Sequence, residues 1–136
     1  PSACADPKKF CARPAPVLNV HPEGISCSGL STGASFSVQF ATAFSSRIRG
    51  VGVFAGKPYH CYVARSPAPP GTCGPMVHEH ARCPGIEHYA RSAAQEGLLD
   101  GLGNISSTRA GLFRGTKDAC YSHSLMQQTA QWFRTS

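Results

Sequence analysis

Ile25-Ser26-Cys27-Ser28-Gly29-Leu30-Ser31-Thr32-Gly33-Ala34-Ser35-Phe36 changes texture abruptly at its middle. From Val17 to Ser28 the chain reads as extended, with Ile25 and Cys27 alternating with small polar residues, the period of a strand. Beyond Gly33, the residues Phe36, Phe40 and Phe44 recur every fourth position, which is the spacing of one helix face. Between the two lies Gly29-Leu30-Ser31-Thr32-Gly33, a G-x-S-x-G pattern at a strand-to-helix junction. In that setting a sharp turn holds a serine in a strained conformation with its hydroxyl exposed above a sheet. Gly29 and Gly33 leave room for strand and helix to approach closely. The helix N-terminus adds positive potential, and the Thr32 backbone N–H can donate to a developing oxyanion. Ser31 is therefore the candidate nucleophile.

Outward from this junction the strand and helix patterns keep alternating. Val51, Val53 and Phe54 form a short β-rich run stopped by Gly56 and Pro58. Residues 57–85 hold six Pro, three Cys and three His and read as a long, covalently held loop. Residues 86–99 read as a helix with Ile86, Tyr89, Ala90, Ala93 and Ala94 along one side. Ala110 to Phe113 reads as a short strand, weakened by Gly111, that runs into the turn Gly115-Thr116-Lys117-Asp118. Ser122 to Phe133 reads as a last helix with Leu125, Met126, Thr129 and Phe133 inward. Such alternation means an α/β fold with a parallel sheet covered by helices. Three strands make that sheet thin.

With 136 residues the chain has room for one domain, read as residues 16–136 behind an irregular, Pro- and Cys-bearing arm at 1–15. A hydrophobic share of 41% with only 15% charged residues belongs to a packed chain rather than a disordered one. No apolar run is long enough for a membrane-spanning helix. The formal charge of +6 comes from bases scattered in ones and twos, without a nucleic-acid-binding signature, so no nucleic-acid partner is expected. Seven widely and irregularly spaced cysteines, with no C-x-x-C, point to disulfides and export, and the odd count leaves a thiol without a partner in the chain. Asn104-Ile105-Ser106 is a glycosylation sequon, compatible with secretion. The chain begins at Pro1 without Met or leader and reads as a processed or partial form.

Asp118 lies just past a predicted strand, as Ser31 does, on the sheet edge where open α/β folds gather their functional groups. A carboxylate there could orient an imidazole and stabilise the imidazolium. The histidine should follow the acid in the chain. His123 alone does so, only five residues on and at the start of a helix, a poor position for the base. Cys73, His78, His80 and Cys83 offer a competing zinc set, disfavoured by its spacing. His21, His60 and His88 read as surface residues. No metal or other cofactor is expected.

Residues 16–61, above all Ile-Ser-Cys-Ser-Gly-Leu-Ser-Thr-Gly and Val-Gly-Val-Phe-Ala-Gly-Lys-Pro-Tyr-His-Cys (51–61), closely resemble the extracellular polyhydroxybutyrate depolymerases. The likeness is to the permuted α/β-hydrolase branch whose lipase box lies near the N-terminus. Gly115-Thr116-Lys117-Asp118 resembles the turn carrying that family's catalytic acid. The resemblance implies a three-layer, partial α/β-hydrolase domain with a short, mostly parallel sheet. It implies a secreted serine esterase in which Ser31 is nucleophile, Thr32 an oxyanion donor and Asp118 the acid. The substrate would be an ester, such as a polyhydroxyalkanoate polymer or its oligomers. Cys61 would pair with Cys73 or Cys83. Where the family usually has Gly-Gly this chain has Gly33-Ala34, and Cys120 stands near a usually aliphatic position. The family's downstream histidine, later strands and second oxyanion donor have no counterpart, so the resemblance is to the first half of such an enzyme. The competing expectation is a non-catalytic hydrolase remnant that binds polymer or a partner.

Overall fold

A computed structural model describes residues 16–21, 23–61 and 83–135. The expected arm at 1–15 lies outside them. Strand β1 (Ile25–Leu30) leads into helix α1 (Thr32–Ala43), and strand β2 (Ile48–Phe54) follows. Helix α2 (Ile86–Gln95), a 3-10 turn (Leu102–Ser107), strand β3 (Arg109–Phe113) and helix α3 (His123–Thr135) complete the order. The three strands pair in parallel in the order β1-β2-β3. All three therefore deliver their carboxyl ends, and the loops behind them, to one edge.

The register explains which residues are inside. Cys27 and Gly29 sit beside Val51 and Val53, which sit beside Ala110 and Leu112. This row faces the core, where it meets Ala34, Val38 and Ala41 of α1, Ala90 of α2, and Met126, Trp132 and Phe133 of α3. The alternate row runs Leu30, Phe54, Phe113 across the sheet, and these three side chains are 71%, 45% and 63% exposed. Among the described residues the helices thus cover one face, which supplies two of the three expected layers. Among those residues nothing packs on the other face.

Helix α1 turns a different side inward from the one its phenylalanines suggested. Phe36 and Phe44 are 64% and 49% exposed, while Ala34, Ser35, Ser37, Val38, Ala41 and Thr42 are buried. Close approach to the sheet is the reason: small side chains let the helix backbone sit on β1 and β2, and a phenylalanine stripe would hold it off. The buried hydroxyls are satisfied locally, Ser37 Oγ donating to Gly33 O at 2.9 Å. Thr42 accepts a 3.0 Å bond from the buried Trp132 indole, pinning α3 to α1. In α3 the expected inward residues Leu125, Met126, Thr129 and Phe133 are all buried. The extended reading of Val17 to Val20 yields no strand.

Cys61 is bonded to Cys83, which chooses between the two expected partners. Cys73, the other, lies outside the described residues. Cys83 is thereby removed from the competing zinc set, whose remaining members, Cys73, His78 and His80, are also outside them. Cys120 is disulfide-bonded as well, and Cys27 is a free, half-buried thiol. Burial raises the Cys27 pKa, and its sulfhydryl donates to Ser37 O. Closing the 22-residue separation between Cys61 and Cys83 should stabilise the fold by about 3 kcal/mol. The double variant Cys61→Ala/Cys83→Ala is expected to lose about that much in urea unfolding. An unchanged midpoint would show that this crosslink constrains nothing.

Candidate active site

Ser31 occupies the one-residue junction between β1 and α1. Its backbone has φ 57° and ψ −120°, a left-handed φ that is uncommon for a residue with a side chain. Neighbouring structure holds it there. Ser31 N–H extends the strand ladder by donating to Phe54 O at 2.9 Å, and Ser31 O accepts the first helical bond from Ser35 N–H at 3.1 Å. The side chain is exposed and makes no cap to its own helix. Thr32 is the first helical residue, so its N–H belongs to the turn whose amides lack an intrahelical acceptor.

The two glycines of the motif play unequal parts. A Cβ on Gly29 would be driven into the backbone of Gly33 and to within 2.7 Å of Ala34 N. At Gly33 a Cβ would meet nothing within 4 Å. Only Gly29 is required by close approach. Gly33 matters as the backbone against which Gly29 lies.

Asp118 follows β3 on the same carboxyl edge as Ser31. Its Oδ1 accepts from the backbone N–H of Cys120 at 2.7 Å and of Tyr121 at 3.0 Å, closing the turn that leads to α3. Arg114 braces the same turn, its Nη2 donating to Asp118 O at 2.8 Å and its Nε to Tyr121 O. Between these elements Tyr121, only 7% exposed, brings its hydroxyl to 3.2 Å from Ser31 Oγ. Tyr121 is a site residue that sequence reasoning missed. No motif grammar singles out an aromatic hydroxyl three positions past a candidate acid.

His123 opens α3 and is exposed, and none of its side-chain contacts reaches Ser31 or Asp118 among the described residues. The helix start is capped instead by Ser122, whose Oγ accepts from Leu125 N–H at 3.3 Å. No group of metal-ligating side chains assembles among the described residues. Asn104 of the sequon lies half-buried in the 3-10 turn.

Beside the helix N-terminus, Thr32, Ser35, Phe36, Gln39, Lys57, Pro58 and His60 line an apolar cavity of about 230 Å³. Its far wall is built by hydrogen bonds. Gln39 accepts from His60 N–H at 3.0 Å, and Ser35 Oγ accepts from Lys57 N–H at 3.2 Å. Burial lowers the Lys57 pKa. His60 proves more than a surface residue: its ring stacks on Tyr89 with centroids 3.3 Å apart, and its backbone φ is 54°. Burial lowers its pKa below the ordinary imidazole value. The folded chain then prefers neutral His60, so the unfolded chain takes up the proton first as pH falls through about 6.5. Thermal stability is expected to drop between pH 7 and 5, and His60→Gln to flatten part of that drop. An identical pH dependence in wild type and variant would contradict this.

No family model matches the chain. The chain is 26% identical over 130 residues to a poly(3-hydroxybutyrate) depolymerase of Delftia acidovorans, covering 88% of this chain and 24% of that protein. It is 47% identical over 47 residues to a polyhydroxybutyrate depolymerase of Talaromyces funiculosus, covering 34% of this chain and 14% of that protein. Among solved structures, a PHB depolymerase serine-to-alanine variant complexed with an R3HB trimer superposes with a TM-score of 0.69 at 24% identity, over 87% of this chain and 36% of that one. The PHB depolymerase from Penicillium funiculosum superposes with a TM-score of 0.68 at 25% identity, over 85% of this chain and 35% of that one. The chain thus spans about a quarter of the longer curated match and about a third of the solved relatives.

Proposed function

We propose that this relative of the PHB depolymerases is a secreted serine carboxylic-ester hydrolase acting by acyl transfer through Ser31. The observation that carries the reading is the exposed Ser31 on a left-handed, strained turn at a helix N-terminus, on the same sheet edge as Asp118. Ser31 Oγ attacks the ester carbonyl carbon, the alkoxide leaves with a proton, and water later releases the acid from the acyl-serine. Thr32 N–H donates to the oxyanion. Asp118 is the triad acid, oriented by its turn. Within such an enzyme this chain is the portion that bears nucleophile and acid, and the imidazole comes from another portion.

The cavity beside Thr32 supports a short acyl group. At about 230 Å³ it lies below the ~300 Å³ at which sites for drug-sized ligands begin. A hydroxybutyrate unit or oligomer end, as in polyhydroxyalkanoates, suits that size better than a long fatty chain. Disulfides at Cys61–Cys83 and at Cys120 support an oxidising, extracellular setting. The test is site mapping with a fluorophosphonate. Phosphonylation at Ser31, absent in Ser31→Ala and in urea-unfolded chain, supports the nucleophile. Folded chain labelled at Ser31 no faster than urea-unfolded chain sinks it.

One observation favours the second reading, a non-catalytic polymer-binding module. Phe36 and Phe44 are exposed, and the rings of Phe36, Phe40 and Phe44 follow one another at 5.8 and 4.8 Å. Retention on PHB granules by folded chain with unreactive Ser31, lost in Phe36→Ser/Phe44→Ser, would favour it.

A further inference from the structure

We propose that Tyr121 is a catalytic partner of Ser31, its phenol oxygen accepting the Ser31 hydroxyl proton in a hydrogen bond and fixing Oγ toward the ester. The inference rests on the reading of Ser31 as nucleophile and deepens it. An exposed serine side chain has three staggered positions of similar energy. Tyr121 selects one, with oxygens 3.2 Å apart. The tyrosine is itself immobilised: it is buried, its N–H is held by Asp118 Oδ1, and its carbonyl is held by Arg114 Nε. A fixed acceptor leaves the lone pairs of Oγ free to meet an electrophile, which converts bound substrate into a near-attack arrangement. Asp118 then acts on the nucleophile through Tyr121 as well as being positioned for an imidazole.

The contact also has a stereochemical consequence. Tyr121 is held at its N–H by Asp118 Oδ1 and occupies Ser31 Oγ with its hydroxyl. Any imidazole joining Ser31 to Asp118 must share this space with the phenol.

The experiment is the rate of Ser31 phosphonylation by an ethyl alkyl fluorophosphonate, followed by peptide mass mapping. An O–P bond forms at Oγ, the P–F bond breaks, fluoride leaves, and the hydroxyl proton goes to solvent water. Tyr121→Phe keeps the buried ring and removes only the acceptor. Its limiting rate constant is expected to fall about tenfold, with the concentration giving half that rate unchanged, since positioning acts on the chemical step. The rate constant, unlike the amplitude, reports on folded molecules even if the variant is less stable. Equal rate constants in wild type and Tyr121→Phe would overturn the proposal while leaving Ser31 as nucleophile. Wild-type chain labelled at Ser31 no faster than urea-unfolded chain would overturn the Ser31 reading and this one together. A tenfold rise of the half-saturating concentration at constant limiting rate would assign Tyr121 to ligand binding and overturn a role in the chemical step.

Discussion

Chromogenic butyrate ester turnover by this chain is expected to run ~10³-fold or more below that of an intact PHB depolymerase assayed beside it. Losing a triad member leaves the catalysis that oxyanion stabilisation and binding supply, at a cost of three or more orders of magnitude. Here the partner of Ser31 Oγ is a phenol, and no imidazole bonds Ser31 or Asp118 among the described residues. A phenol positions the hydroxyl but does not take its proton as an imidazole does, so attack through Ser31 is expected to stay slow. His123→Ala should leave the residual rate unchanged, because His123 stands exposed at the head of α3. Ser31→Ala should remove what remains above background. Turnover within tenfold of the intact enzyme, lost in both variants, would place His123 in the triad and refute the incomplete-site reading.

Gly29→Ala is expected to cost about 3 kcal/mol or more, lowering the melting temperature by roughly 10 °C. The added methyl would overlap the Gly33 backbone and crowd Ala34 N. These are backbone atoms of the first turn of α1, and they cannot yield as a flexible side chain would. Relief requires lifting the helix off the sheet, which opens the core around Ala34, Val38 and Val53. Gly33→Ala is the control, for its Cβ meets open space on a helix. It should be neutral or stabilising by up to about 1 kcal/mol. Equal destabilisation by the two substitutions would show that the junction does not depend on close approach at Gly29.

The contrast between these glycines shows how far local reading reaches. G-x-S-x-G treats both alike, because the pattern records which residues stand at a junction. Which one carries the contact depends on where the helix axis passes over the strand. The same limit applies to α1. Phe36, Phe40 and Phe44 form a regular face, yet the small residues between them are buried. Period identifies a helix, but the space above the sheet selects the face it buries.

Much of the fold follows from the chain's own pattern. Apolar alternation up to Ser28, the glycine-flanked serine, the β-rich run at 51–54 and the turn at 115–118 determine strands, junction and parallel order, because each rests on residues near in sequence. The places of Ser31 and Asp118 on the carboxyl edge were legible for that reason, Ser31 directly after β1 and Asp118 in the turn five residues after β3. Two features were left to the tertiary structure: the choice of Cys83 over Cys73 for Cys61, and the Tyr121 hydroxyl on Ser31. Each joins residues that chain order does not relate. Ser31 and Tyr121 are 90 positions apart. They meet because parallel pairing brings the ends of β1 and β3 to one edge and the Asp118 turn then aims the phenol. Local propensity determines where a chain turns. Packing decides what the turn finally touches.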